Sequence, residues 1–167
     1  LSMVRELGPV LTALMVGGRI GSGIAAEVGA MAVTEQLDAI RALGADPVKK
    51  LVLPRVLAAV LIMPLLTAMA DVLGFLGALV ICGSQFGMKP GFFLHSALES
   101  VRMNDFMSGL GKAPFFGFLI ALVGCYHGFI TEGGTEGVGR STTRTVVVTS
   151  ILILVADFFL TKLFVSL

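Results

Sequence analysis

Four long apolar runs dominate the pattern of the chain, at residues 7–33, 51–83, 113–131 and 145–167. Each run supplies the roughly 20 residues that an α-helix needs to cross the hydrocarbon core of a bilayer. The pattern therefore predicts an all-α integral membrane protein with four transmembrane helices. We expect these helices to span residues 4–31, 47–82, 109–130 and 143–166.

A short polar stretch, EVGAMAVTEQLDAIRALGADP at residues 27–47, separates the first two apolar runs. At about 100° per residue, its apolar and acidic residues fall on opposite sides of a helix. This predicts an amphipathic helix over residues 33–44, too short to cross a membrane. Thr34 is expected to cap its first turn and Gly44 to end it, after which Asp46 caps the next helix.

Two interpretations of this short helix stay open. Its apolar stripe would rest on lipid headgroups, as in interfacial helices, or the helix would insert into a cytoplasmic partner protein. The acidic, small and glycine positions loosely resemble the cytoplasmic loop by which bacterial ABC permeases engage their ATPases, although the spacing is shorter. These positions are Asp38, Ala39, Ile40 and Gly44, followed by Leu53 and Pro54.

Composition supports the membrane class, because only 14% of the residues are charged and 56% are hydrophobic. A soluble domain typically carries about 25% charged residues. Positive residues flank the first and third predicted loops more than the second, and the positive-inside rule then places those two loops in the cytoplasm. The residues are Arg41, Lys49, Lys50, Arg55, Arg140 and Arg144, against Lys89 and Arg102.

The chain begins at a leucine, almost within an apolar run. We therefore expect a fragment that lacks an N-terminal part of its protein, and no signal peptide is visible. The two cysteines, Cys82 and Cys125, are predicted near opposite ends of their spans. A disulfide between them is not expected, because bridged residues lie close together.

Small residues recur at four-residue spacing in the first span, at Gly17, Gly21, Ala25 and Gly29. In lipid, such a face lets helix backbones approach closely. The sequence leaves open whether the partner helix belongs to the same chain or to another subunit. Charged residues within spans must face protein or water, so Asp71 is expected in the bundle interior.

No catalytic or metal site is predicted. The spacing of Gly134, Gly139, Arg140 and Ser141 imitates a phosphate-binding loop, but a membrane span precedes it and the lysine is missing. Ser141, Thr142 and Thr143 are instead expected to cap the last helix. Neither His95 nor His127 has ligand partners at metal spacing.

Several segments together resemble one family. MVRELGPVLTALMVGGRIGSGIAAEVGAM, TEQLDAIRALGADP, LPRVLA and GVGRSTTRTVV are similar to MlaE-type permeases. These are the membrane subunits of ABC systems that move phospholipids or related lipids between the inner and outer membranes of bacteria. The resemblance covers essentially the whole chain, but family members begin with an interfacial helix and a further span that this sequence lacks.

The resemblance implies a homodimer in the inner membrane, a cytoplasmic ATPase that binds ATP and magnesium, and an outer-side MCE-type lipid-binding protein. It implies no cofactor on this chain and no nucleic acid. Maintenance of outer-membrane lipid asymmetry is the implied role. The implied contacts to the ATPase are Glu35, Gln36, Leu37, Asp38, Ile40 and Arg41, and the implied lipid pathway is Arg5, Glu6, Lys112 and Asp157.

Alternatives to the lipid pathway remain at this point. Lys112 and Asp157 would also be explained by an ion pair that only holds helices together. An ion-coupled secondary transporter would use Asp71 and Asp157, although the predicted coupling helix argues against it. An intramembrane enzyme is disfavoured, because the sequence contains neither HExxH nor a convincing pair of nucleophile and base.

Overall fold

A computed structural model describes residues 3–85, 91 and 103–166 of the chain. Its first helix, α1, consists of four consecutive segments, in which wide π-type turns alternate with regular α-helix. These segments are Met3–Leu7, Gly8–Val16, Gly17–Gly21 and Ser22–Val33. The predicted outer-loop residues Lys89, His95 and Arg102 lie outside the described part.

The short helix α2 covers Gln36–Ala42 and is shorter than predicted. Thr34 does not cap it, since its hydroxyl donates to the Ala30 carbonyl at 2.8 Å and so closes the end of α1. Glu35 makes the turn between the helices in a left-handed conformation, with φ of 61°. Threonine at a helix end readily bonds back to the carbonyl four residues earlier, and that local bond decides the boundary.

The two other predictions around α2, that Gly44 ends it and that Asp46 caps the next helix, are confirmed. Gly44 has φ of 76°, which glycine adopts without strain. The Asp46 carboxylate accepts a hydrogen bond from the Val48 amide at 2.9 Å. The next helix, α3, then runs through Val48–Val52 and Leu53–Gln85.

Helix α4 covers Met103–Phe129 and helix α5 covers Gly134–Ser166. The start of α5 was wrongly predicted near residue 143. Its first turns are polar and carry an exposed ion pair between Glu136 and Arg140 at 3.0 Å, so no apolar run marks them. Ser141, Thr142 and Thr143 lie inside the helix and donate to backbone carbonyls rather than capping it.

Within the residues that the structure describes, four helices are long and apolar enough to cross a membrane and no strand is present, which confirms the predicted multi-pass class. Helix α4 packs against α1, α3 and α5 and so lies at the centre of the bundle. We call the end of the bundle that carries α2 the α2 end, and the opposite end the Lys112 end. The core comprises Ala13, Met63, Ala113, Phe116, Ile120 and Ile153.

The small residues of α1 lie against other helices of the same chain. Added Cβ atoms at Gly17, Gly21 and Gly29 would meet side chains of α4, α5 or the turn between them. Ala25 is fully buried. The closest approach between α1 and α4 is at Gly128 of α4, where a Cβ would lie 2.6 Å from the Val28 Cβ. The glycine face therefore packs within one subunit.

Candidate functional site

Lys112 is a fully buried lysine at the end of the bundle opposite to α2. The Lys112 side chain has no exposed surface. Its ammonium nitrogen lies 2.7 Å from Glu6 Oε2, 2.7 Å from Thr161 Oγ1 and 3.2 Å from Asp157 Oδ1. An ammonium group has three donors, so every N–H of Lys112 has a partner.

The partners of Lys112 also bond to one another. The Thr161 hydroxyl donates to Glu6 Oε2 at 3.0 Å while its oxygen accepts from Lys112. Arg5 Nε lies 3.9 Å from Glu6 Oε1. Two carboxylates thus face two cations, so that Arg5, Glu6, Lys112 and Asp157 together carry no net formal charge. We call Glu6, Lys112, Asp157 and Thr161 the Lys112 cluster.

Three helices bring the cluster together. Glu6 comes from the wide first turn of α1, Lys112 from α4, and Asp157 and Thr161 from α5. Residues four apart share one face of a helix, so the two α5 side chains point the same way. Thr161 was not predicted from the sequence, although its four-residue spacing from Asp157 indicates that the two residues share a helix face.

An open cavity of about 430 Å³ adjoins the cluster and is lined by Glu6, Leu154, Asp157, Phe158, Thr161 and Lys162. The two carboxylate side chains are 31% and 21% exposed, whereas Lys112 is fully enclosed behind them. A molecule in this cavity therefore meets the carboxylates and the exposed Phe158 ring first. Lys112 holds the carboxylates in place rather than touching the occupant.

Four other charged residues of the long helices lie outside this cluster. Asp71 is buried in the bundle, as predicted, and its Oδ1 has no hydrogen-bond partner among the described residues. Glu27 pairs with Arg55 of α3 at 2.9 Å. Arg19, on the same helix as Glu27, is exposed.

The predicted coupling residues fall into two groups. Leu37 is buried and anchors α2 on its own chain, so its side chain is not presented outward. Leu43 lies just after the helix and is 85% exposed. The exposed members are Glu35, Gln36, Asp38 and Arg41, with Ile40 half-buried.

A second cavity, of about 290 Å³, lies at the α2 end beside the turn between α4 and α5. His127 Nδ1 lies 3.0 Å from Thr145 Oγ1, whose own hydrogen is donated to the Ser141 carbonyl at 2.8 Å. The His127 ring and the Thr145 hydroxyl thus join α4 to α5 through a buried hydrogen bond. Within the described residues, no three His, Cys, Asp or Glu side chains are grouped to hold a metal ion.

Comparison with known proteins places these features in a family. The sequence profile described as Permease MlaE matches residues 1–163. A protein of Rickettsia conorii named as a probable ABC transporter permease is 45% identical over 164 residues, 98% of this chain and 63% of the relative. A probable ABC transporter permease of Synechocystis is 46% identical over 163 residues, 98% of this chain and 62% of the relative.

A plant relative extends the comparison. The chloroplastic protein TRIGALACTOSYLDIACYLGLYCEROL 1 of Arabidopsis thaliana is 41% identical over 164 residues, covering 98% of this chain and 47% of that protein. The chain thus spans less than two thirds of the length of these curated relatives. The profile match covers nearly all of the chain, and the relatives are well over 30% identical to it. This chain belongs to the MlaE permease family.

Proposed function

We propose that this chain is part of the membrane subunit of an ABC transporter that moves phospholipids or related lipids between inner and outer membranes. Maintenance of outer-membrane lipid asymmetry is the physiological role we infer. Two relatives are named as ABC transporter permeases, and the Arabidopsis relative carries the name of a diacylglycerol lipid. The two permease names support an ABC transporter, and the plant name supports a lipid cargo for this chain.

The Lys112 cluster is the observation that carries the proposal. Charged groups within a bilayer are costly and commonly mark a substrate pathway. Here the carboxylates of Glu6 and Asp157 are partly exposed to a cavity, while Lys112 is not. A cluster that only held helices together would have no need of this open side.

The geometry suggests how a lipid would be held. The carboxylate oxygens of Glu6 and Asp157 accept hydrogen bonds from ammonium or hydroxyl groups of a headgroup. Phe158 and Leu154 line the same cavity and offer apolar surface to the start of an acyl chain. Lys112 and Thr161 hold both carboxylates in position, so the site is preorganised before a lipid enters.

The partners follow from the two ends of the bundle. The exposed residues of α2 would dock into a cytoplasmic ATPase, which would bind ATP and magnesium and perform all hydrolysis. We infer a homodimer in the inner membrane, with an MCE-type lipid-binding protein at the Lys112 end. This chain would contribute no catalytic residue and bind no cofactor of its own.

Amide substitutions test the site. Glu6→Gln and Asp157→Asn keep an oxygen that accepts from Lys112 but remove the negative charge. We expect each variant to assemble with its ATPase while lipid copurified per complex and lipid transport fall about tenfold, the effect of losing one charge-assisted hydrogen bond. Glu136→Gln, an exposed carboxylate of the same helix α5, serves as the matched control.

The structural alternative predicts a different result. If the cluster only joins helices, the two variants would lower the yield or thermal stability of the complex. The lipid bound by each complex that does assemble would then equal that of the Glu136→Gln control, and the proposed lipid site would be wrong.

A further inference from the structure

An apolar groove runs along the outside of the bundle between α1 and α3. Its volume is about 290 Å³, near the lower end of the roughly 300–1,000 Å³ typical of small-molecule sites. Gly117 and Ile120 of α4 form its floor. Its walls are Val16, Ile20 and Ile24 of α1 and Ala58, Ile62 and Leu66 of α3.

The length of the groove matches one leaflet of a bilayer. Its lining runs from Val16 to Glu27 on α1 and from Arg55 to Leu66 on α3, a distance of eleven residue steps on each helix. At 1.5 Å per residue, each wall is about 16 Å long. The hydrocarbon core is about 30 Å thick, so the groove extends over about half of it.

An ion pair closes the groove at the α2 end. Arg55 Nη2 lies 2.9 Å from Glu27 Oε1, and Arg55 Nη1 donates to the Leu51 carbonyl at 3.0 Å. A guanidinium group has five N–H donors, so further donors remain for an anion. The Glu27 side chain is 64% exposed and the Arg55 side chain 19%.

The pair lies at the depth of lipid headgroups. Glu27 follows Glu6 by 21 residues on α1, which corresponds to about 31 Å along a helix and thus to the thickness of the hydrocarbon core. The Lys112 cluster and the Glu27–Arg55 pair therefore lie near opposite ends of the hydrocarbon core. A phosphate suits Arg55, and a headgroup ammonium suits the exposed Glu27 carboxylate.

We propose that this groove binds one phospholipid from the leaflet at the α2 end, with an acyl chain between α1 and α3 and its phosphate at Arg55. The apolar walls, their one-leaflet length and the charged headgroup end all fit this occupant. The site is separate from the cavity at the Lys112 cluster. Binding here is a property distinct from transport and is measured without it.

Photo-crosslinking tests the occupant. The full-length permease with its ATPase is placed in nanodiscs that contain a trace of phosphatidylethanolamine with a diazirine in the middle of one acyl chain. After illumination, labelled peptides are located by mass spectrometry. We expect Ile20, Ile24 and Ile62 to be labelled severalfold more than Leu61 and Leu65, which are exposed on α3 but do not line the groove.

Filling the groove provides a matched pair of variants. Ile62→Trp places a larger ring in the groove and should reduce labelling of Ile20 and Ile24 severalfold. Leu61→Trp makes the same change one residue away, outside the lining, and should leave that labelling unchanged. Equal labelling of groove and non-groove residues in the unsubstituted protein would mean ordinary surrounding lipid and would overturn the proposal.

The headgroup contact has its own test. Arg55→Gln should lower groove labelling about tenfold, as expected for one lost hydrogen bond to a charged group, and Arg55→Lys should restore part of it. Diacylglycerol with the same diazirine chain lacks the phosphate and should label the groove weakly in every variant. If neither Arg55→Gln nor the use of diacylglycerol lowers the labelling of the groove, the assignment of the phosphate to Arg55 is wrong.

Other occupants give distinct results. A groove covered by a second copy of the chain or by another protein segment would stay unlabelled in all variants and would also refute the proposal. Failure of the proposed transport function is separable, because Glu6→Gln acts at the opposite end of the bundle. If the groove is still labelled in Glu6→Gln, the lipid site in the groove is supported even if lipid transport is lost.

Discussion

The Lys112 ammonium and the Glu6 carboxylate lie 2.7 Å apart although 106 residues separate them in the chain. Asp157 is the farther of the two carboxylates, at 3.2 Å. Lys112 is therefore not half of an isolated pair with Asp157. Exchanging Lys112 and Asp157 would place a carboxylate directly against Glu6, so such an exchange cannot restore the original arrangement.

Thr161→Val should destabilise the protein without changing its shape. Valine matches threonine in size but removes the acceptor for Lys112 and the donor to Glu6. Leaving a buried donor of a charged group unpaired costs about 1–3 kcal/mol or more. The measurement is thermal unfolding of the detergent-solubilised permease. Thr143→Val, at an exposed site of the same helix, is the control, and equal melting of the two variants would contradict the cluster's contribution.

Gly128→Ala should force α1 and α4 apart. The new Cβ would lie 2.6 Å from the Val28 Cβ and 2.9 Å from its Cγ1, closer than atoms can pack. Overpacking of this kind typically costs about 1–3 kcal/mol. Gly18→Ala is the matched control, because a Cβ there meets nothing within 4 Å. If the two variants have the same free energy of unfolding, α1 and α4 can separate at Gly128 without a loss of stability.

Charge reversal on α2 and the turn before it should release the ATPase. Glu35→Arg with Asp38→Arg reverses two exposed acidic residues, and like charges at an interface oppose binding. We expect the ATPase to be lost on copurification while the permease stays in the membrane. Glu136→Arg reverses another exposed carboxylate at the same end and should retain the ATPase. Undiminished copurification and transport in the double variant would support the headgroup-resting interpretation of α2.

Asp71→Asn tests whether lipid transport is driven by ATP alone or also requires the Asp71 carboxylate, as ion coupling would. Asp71 is buried and its Oδ1 lacks a hydrogen-bond partner within the described chain. Removing a charge from such a site relieves an unfavourable burial, so assembly should be preserved or improved. We expect ATP-dependent lipid transport to continue. Assembled protein that hydrolyses ATP but no longer moves lipid would instead point to a carboxylate that takes part in transport.

The sequence by itself determined the membrane class and the four spans, because bilayer thickness dictates how long an apolar helix must be. It also determined features that depend on neighbouring residues, such as the turn at Gly44 and the cap at Asp46. The sequence pattern did not predict the start of α5 at Gly134. Its polar first turns are held by local contacts such as that between Glu136 and Arg140, which leave no hydrophobic signal.

Only the tertiary structure decided which distant groups meet. Family resemblance singled out Glu6, Lys112 and Asp157, but the inclusion of Thr161 and the enclosure of Lys112 depend on how α1, α4 and α5 pack. The partner of Glu27 was likewise undetermined, since Arg55 belongs to another helix. Pairing across helices is set by their rotation and depth against one another, and no pattern along a single helix specifies either.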